Sequence, residues 1–272
     1  MVYVKVTILY ENHSGFIKGL LGGHGFSALV ESNGIKVLVD TGTDGGVLLN
    51  NMEALGVEPD SIDYLFITHG HYDHTGGLKA LLEARSKPLK VIAHPGIFQR
   101  RIALKPKRRE IGIPFTREEL EGLGAEFILG TDPFEFARGF MSSGEVERAT
   151  WDRAVGYLPD GTKDPVKDDI ALVVDLGDSV AVVTGCGHSG VINIVRHAEN
   201  VSGKPVKVLL GGLHLAGAKE ELLEDVANNI SAKLYAGHCT GLESFAYLRC
   251  RLGERVEPLH VGKVIELQAV SL

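Results

Sequence analysis

Apolar and polar residues alternate over residues 2–9, 26–31 and 35–39, the period-two spacing of strands half buried in a sheet. Asn33-Gly34 separates the last two runs, and a dipeptide that accepts positive φ at both positions predicts a two-residue hairpin. Helical spacing over 47–55 follows, then a buried strand over 64–68, a helix over 78–84 and a strand over 90–93. The second half repeats the habit. Strands are expected at 171–175 and 180–184 around Leu176-Gly177-Asp178, then a helix over 191–199. Strand 206–210, helix 219–228, strand 232–235, helix 242–251 and strand 263–268 complete the chain. Two halves, each opening with a hairpin and continuing as β-α units, predict an α/β fold of two mixed sheets packed face to face with helices outside. Segments 96–130 and 134–169 show no such period, so they are expected as insertions over the sheet edges of a single domain spanning 1–272.

Composition adds mainly exclusions. With 44% hydrophobic and 23% charged residues among 272, the chain sits at the globular average, which rules out a disordered, collagenous or coiled-coil protein. The longest uncharged stretch, 179–195, contains three glycines and several polar residues and cannot span a membrane. Lys5 and Glu11 interrupt the N-terminal apolar run and no cleavage site follows, so a cytoplasmic location without a signal peptide is expected. The net charge of −7 argues against a stable nucleic-acid partner. Cys186, Cys239 and Cys250 form no Cys-x-x-Cys pair, which points to reduced thiols rather than a disulfide framework.

Of eleven histidines, His24, His69, His188, His214 and His238 each have a glycine within two positions, a combination that lets a loop at a strand end turn sharply and aim a ligand. The densest cluster is His69-Gly70-His71-Tyr72-Asp73-His74, directly after an apolar strand and before Gly76-Gly77. His69 and His71 point the same way in an extended segment, while Asp73 and His74 come round on the next turn. Four ligands within six residues can serve two divalent cations, with imidazole suiting zinc, iron or manganese and the carboxylate suiting a position that keeps a water.

This His-x-His-x-Asp-His segment resembles the signature of the metallo-β-lactamase fold superfamily, and later landmarks fall in the expected order along nearly the whole chain. The resemblance implies a four-layer αββα sandwich, with His69, His71 and His188 at a first metal and Asp73, His74 and His238 at a second. Val39-Asp40-Thr41-Gly42 resembles the family strand whose Asp braces the ligands from behind. The chain departs from the family in having no His between His94 and His188, and in placing Cys186 where an Asp usually bridges. Cys186 is then either a thiolate ligand or a small buried residue lining the site. By the same resemblance zinc is the expected metal, with iron or manganese as alternatives.

Glycine-flanked segments around His24, His188, His214 and His238 resemble the branch whose members include synthases of methanopterin-type biosynthesis. These join a dihydropterin pyrophosphate to a ribofuranosylaminobenzene phosphate and expel pyrophosphate. The implied partner is a phosphorylated small molecule, with self-association into a homo-oligomer left open. Asp73 and His214 are the expected catalytic groups, the first orienting a nucleophile and the second contacting substrate or donating a proton. His24, Arg100, Arg101, Arg108 and Arg109 are expected substrate contacts; the four arginines belong to a run of six cations in ten residues that is either a phosphate collector or a solvated face. A metal-dependent phosphodiesterase or nuclease shares the motif, and a metal-holding sensor without catalysis is a third class.

Overall fold

The computed structural model describes residues 3–268. Its strands form two seven-stranded mixed sheets and a two-stranded hairpin. In spatial order the first sheet runs Val264–Gln268, Tyr3–Tyr10, Ser27–Ser32, Ile35–Val39, Tyr64–Phe66, Leu89–Ala93 and Ala125–Leu129. Pairing is antiparallel as far as Ile35–Val39 and parallel beyond it. The second sheet runs Val256–Pro258, Lys233–Gly237, Val206–Gly212, Val180–Thr184, Leu172–Asp175, Phe140–Ser142 and Phe134–Ala137, with the first four parallel. Asn33 and Gly34 take φ of 53° and 77°, the left-handed pair that the hairpin between Ser27–Ser32 and Ile35–Val39 requires.

Period-two alternation sorts side chains between layers. Val4, Val6, Ile8, Val37 and Val39 from the first sheet and Leu172, Val174, Ala181, Val183, Val208 and Leu210 from the second fill one buried cluster between the sheets. The opposite faces carry Leu29, Leu38 and Leu65 against helices Gly45–Ala54 and Leu78–Glu83, and Val182 and Leu209 against helices Val191–Ser202 and Glu220–Asn229. Helix, sheet, sheet and helix are therefore the four layers. No helix among the described residues is long and apolar enough to cross a membrane.

The two segments read as insertions need correction. Residues 117–129 form helix Arg117–Gly122 and the edge strand Ala125–Leu129, parallel to Leu89–Ala93, and 134–142 supply strand Phe140–Ser142 and the edge strand Phe134–Ala137 of the second sheet. These strands are short and half-exposed, so their apolar alternation is weak. Only the stretches around 99–113 and 144–170 lie over the sheets, and they meet each other where Ile102 bridges to Tyr157.

Candidate metal centre

Every candidate ligand leaves the C-terminal end of a strand. Ile35–Val39 delivers Asp40, Tyr64–Phe66 leads to the 69–74 segment, and the parallel strands Val180–Thr184, Val206–Gly212 and Lys233–Gly237 deliver His188, His214 and His238. Loops at carboxyl ends of parallel strands converge in one crevice, which is where such sheets place their chemistry. The glycines were expected to make the sharp turns, yet Asp40, His214 and His238 themselves take left-handed φ of 55°, 47° and 47°. Three non-glycine residues held in that region beside one crevice mark it as a site where backbone strain is tolerated.

The structure brings His69, His71 and His188 together, with ring centroids 4.7, 4.8 and 5.0 Å apart. It brings Asp73, His74, Cys186 and His238 together as a second group whose donor atoms all lie within 4.8 Å of one another. Four of these imidazoles are fixed through Nδ1. His74 Nδ1 lies 2.7 Å from Asp40 Oδ2, His188 Nδ1 donates to the Arg153 carbonyl at 2.9 Å, and His238 Nδ1 meets Asn12 Oδ1 at 2.9 Å. His69 Nδ1 faces the Thr68 hydroxyl at 3.1 Å. The Nε2 atoms of His69, His71 and His188 are buried without any hydrogen-bond partner, and that of His238 lies 3.3 Å from Asp73 Oδ2. Buried polar atoms are normally paired, so several orphaned Nε2 atoms beside one crevice fit a cation there.

Electrostatics divides these groups, leaving three imidazoles neutral and His74 protonated. Burial, and for His69 and His188 the neighbouring histidines, hold His69 and His188 far below the usual imidazole range and His71 at about 3, so all three are neutral donors. Burial acts on His74 in the same direction, but Asp73 and Asp40 outweigh it and raise His74 to about 9. Burial would lift the Asp73 carboxyl; His74 and the bonds from His238 and His24 keep it well below the carboxylate range. Asp40, the expected brace, lies behind His74. Besides His74 it accepts the Thr68 amide at 2.8 Å and the Thr68 hydroxyl at 2.7 Å. Gly185 allows that packing, since a Cβ there would lie 2.1 Å from Thr68 Oγ1 and 2.7 Å from Asp40 Oδ2.

The His214 ring lies tilted 4.4 Å from that of His188 by centroids, and its Nδ1 is buried without a partner. His24 is half-exposed at the rim, Nε2 3.3 Å from Asp73 Oδ2. Burial, with Cys239 beside it, pushes the Cys186 thiol up, and its Sγ lies 3.2 Å from His74 Nε2.

The arginines divide. Arg100, Arg108 and Arg109 are exposed on the hairpin of Ile102–Ala103 and Arg109–Glu110 and its flank; Arg100 pairs with Glu110, and Arg109, which donates to the Lys105 carbonyl at 2.8 Å, opposes by its charge the rise that burial gives the Tyr72 hydroxyl. Arg101 is no substrate contact. It is 1% exposed, with Nε 2.6 Å from Asp164 and a second bond to Asp168. Asp168 also accepts the Gly70 amide at 2.8 Å, between the two ligands of the His-x-His pair. Sequence reasoning missed Asp164 and Asp168, and also Glu11, a buried carboxylate that accepts the amides of His13 and His238. Two grooves flank the crevice. One, of about 830 Å³, is lined by Tyr72, Phe98, Arg100, Phe115 and Arg117; the other, of about 400 Å³, by His13, Phe16, His238, Phe245 and His260.

A four-layer αββα sandwich with a histidine-rich crevice at its strand ends defines a class, and the sequence agrees: the chain belongs to the metallo-beta-lactamase superfamily, whose family profile matches residues 20–201. Among its relatives is the 7,8-dihydropterin-6-methyl-4-(beta-D-ribofuranosyl)-aminobenzene-5'-phosphate synthase of Methanocaldococcus jannaschii, 32% identical over 97% of this chain and 96% of that one. An uncharacterized protein of the same organism is also 32% identical, over 96% and 99% of the two chains. The solved structure of Tm1679, described as a metal-dependent hydrolase of the beta-lactamase superfamily, superposes with a TM-score of 0.83 at 25% identity, covering 97% of this chain and 99% of that one.

Proposed function

We propose that this protein is a two-metal enzyme acting on a phosphate-bearing small molecule, and that its reaction is condensation of a dihydropterin pyrophosphate with a ribofuranosylaminobenzene phosphate. The observation that carries the reading is the end-to-end similarity to the Methanocaldococcus synthase. The neutral imidazoles and orphaned Nε2 atoms of the crevice support it. His69, His71 and His188 would hold one cation and Asp73, His74 and His238 the other, zinc being the metal that suits this imidazole-rich set. When bound, such cations supply positive charge to the pyrophosphate oxygens as they take up the electrons of the breaking bond.

The chain's own residues do the rest. A carbon–nitrogen bond forms from the aromatic amine, the carbon–oxygen bond to pyrophosphate breaks, and the amine proton must leave. That proton passes to solvent, and His214 stands beside His188 with their ring centroids 4.4 Å apart. Asp73 stays ionised and orients the amine. Arg109, next to Tyr72, and Arg100 on the adjoining groove attract the phosphate oxygens. Tyr72, Phe98 and Phe115 offer aromatic faces to a planar ring in the same groove.

The test is pyrophosphate release from the two substrates by metal-loaded protein, with Asp73→Ala as control. Release that needs both substrates and Asp73 is the expected result. Release from the pterin compound alone identifies a phosphohydrolase instead. Full activity in a correctly folded Asp73→Ala protein overturns the two-metal arrangement.

A further inference from the structure

Three parallel neighbours in the second sheet, Val180–Thr184, Val206–Gly212 and Lys233–Gly237, end in register, Thr184 beside Gly211 and Gly212 beside Gly237. The residues just past their ends are therefore brought side by side. Cys186, His214 and Cys239 follow these strands, and their donor atoms lie within 4.8 Å of one another. The ligand sets above use neither His214 nor Cys239.

Several observations make this trio more than a chance contact. The His214 Nδ1 is buried and has no hydrogen-bond partner. The Cys239 Sγ accepts the His214 backbone N–H at 3.3 Å, so the two residues are held against each other by the backbone as well as by packing. Gly212 permits the approach: a Cβ there would lie 2.3 Å from the Gly185 carbonyl and 2.7 Å from Cys239 Sγ. Cys186 also belongs to the two other donor groups, one with His69 and His188 and one with Asp73, His74 and His238. Two sulfurs and one imidazole nitrogen at this spacing match the donor types of a tetrahedral zinc site.

We propose that Cys186, His214 and Cys239 form a soft nitrogen-and-sulfur donor set that takes a thiophilic divalent cation, zinc or its probe cobalt, in preference to magnesium or manganese. The inference rests on the reading that this crevice holds metal. Binding breaks two S–H bonds, the sulfurs keep the electron pairs as thiolate donors, and both protons pass to solvent. Thiolate ligation then biases the whole centre toward soft metals, because carboxylate and water donors alone suit magnesium and manganese equally well.

The test uses cobalt(II) added to the full chain freed of metal, read by near-ultraviolet absorption. Thiolate-to-cobalt charge transfer is expected in the wild type. Cys239→Ser and Cys186→Ser each lower it by roughly half, since one of two sulfur donors remains. Cys250→Ser, on the exposed face of helix Leu242–Leu252 and in none of the donor groups, leaves the band unchanged. In the wild type, where no variant needs to fold, zinc slows modification of the partly exposed Cys239 by a thiol reagent and a chelator restores it, while the exposed Cys250 reacts at the same rate throughout. Cobalt bound with no charge-transfer band, or a band that survives Cys239→Ser at full strength, overturns the proposal while leaving a histidine–carboxylate centre standing. A band present in a protein that releases no pyrophosphate retires the substrate reading and leaves this one intact.

Discussion

Replacement of Arg101 by methionine isolates the support behind the metal loop. The guanidinium is 1% exposed, and both of its carboxylate partners, Asp164 and Asp168, are buried to the same degree. Removing the cation leaves two carboxylates in a desolvated place. Breaking one side of a buried ion pair costs about 3–5 kcal/mol, because the abandoned charge loses its partner without regaining water. At about 2–4 °C per kcal/mol for a domain of this size, the melting temperature should fall by roughly 6–20 °C at pH 7. The pH dependence carries the sign of the argument. Burial already raises Asp168 against the opposing pull of Arg101, and loss of Arg101 raises it further. A carboxyl whose folded pKa exceeds its unfolded value destabilises the fold above that folded pKa, and the penalty disappears as pH falls through it. The deficit of the variant relative to wild type should therefore be largest at neutral pH and shrink toward pH 4. Thermal unfolding of both metal-free proteins across pH 4–8 measures this. A melting temperature within about 2 °C of wild type at pH 7, or a deficit that grows on acidification, would refute the reasoning.

Two further outcomes follow from the surrounding network. Asp40→Ala removes the acceptor of His74 Nδ1 and of two Thr68 donors, so metal affinity should fall about 10–100-fold in competition with a chelating dye; unchanged affinity would show that Asp40 does not orient the ligand. Asp169 is buried and, against its bonds from Ser189, burial raises it to about 6. The folded state thus holds a proton there that the unfolded chain has released, so wild type should lose stability relative to Asp169→Asn as pH rises from about 4 to 6, read from denaturant midpoints at each pH.

How much of this was legible in the sequence depended on how local each feature is. Strands Ile35–Val39 and Val180–Thr184 begin and end where their apolar alternation does, because both are central strands buried on two faces. The candidate ligands of 69–74 fall within six residues, so spacing alone singles them out. Edge strands Ala125–Leu129 and Phe134–Ala137 were missed, since a half-exposed strand of four or five residues carries too few apolar positions to establish a period. Arg101 was misread for a related reason. Within a run of six cations the composition of the run says solvated or anion-binding, and nothing local separates the one guanidinium that turns inward. Its partners stand 63 and 67 residues away, in a turn-rich stretch where Asp ordinarily signals a loop.

The same distance between sequence and contact explains what the overlying stretches do. Asp168 holds the Gly70 amide, the Arg153 carbonyl fixes His188, Asp169 accepts the Ser189 amide at 2.7 Å, and Ile111 accepts the Tyr72 amide at 3.1 Å. Each contact comes from 99–113 or 144–170 and lands on a candidate ligand or its immediate neighbour. The sheets therefore deliver the donors to one crevice, while these stretches set their final angles. Because metal affinity and reactivity respond to the groups that orient the ligands as well as to the ligands themselves, a substitution at Arg101 or Asp168 should alter the centre without touching a single donor atom. The part of the chain with the weakest periodic signal thus carries much of the control over its chemistry.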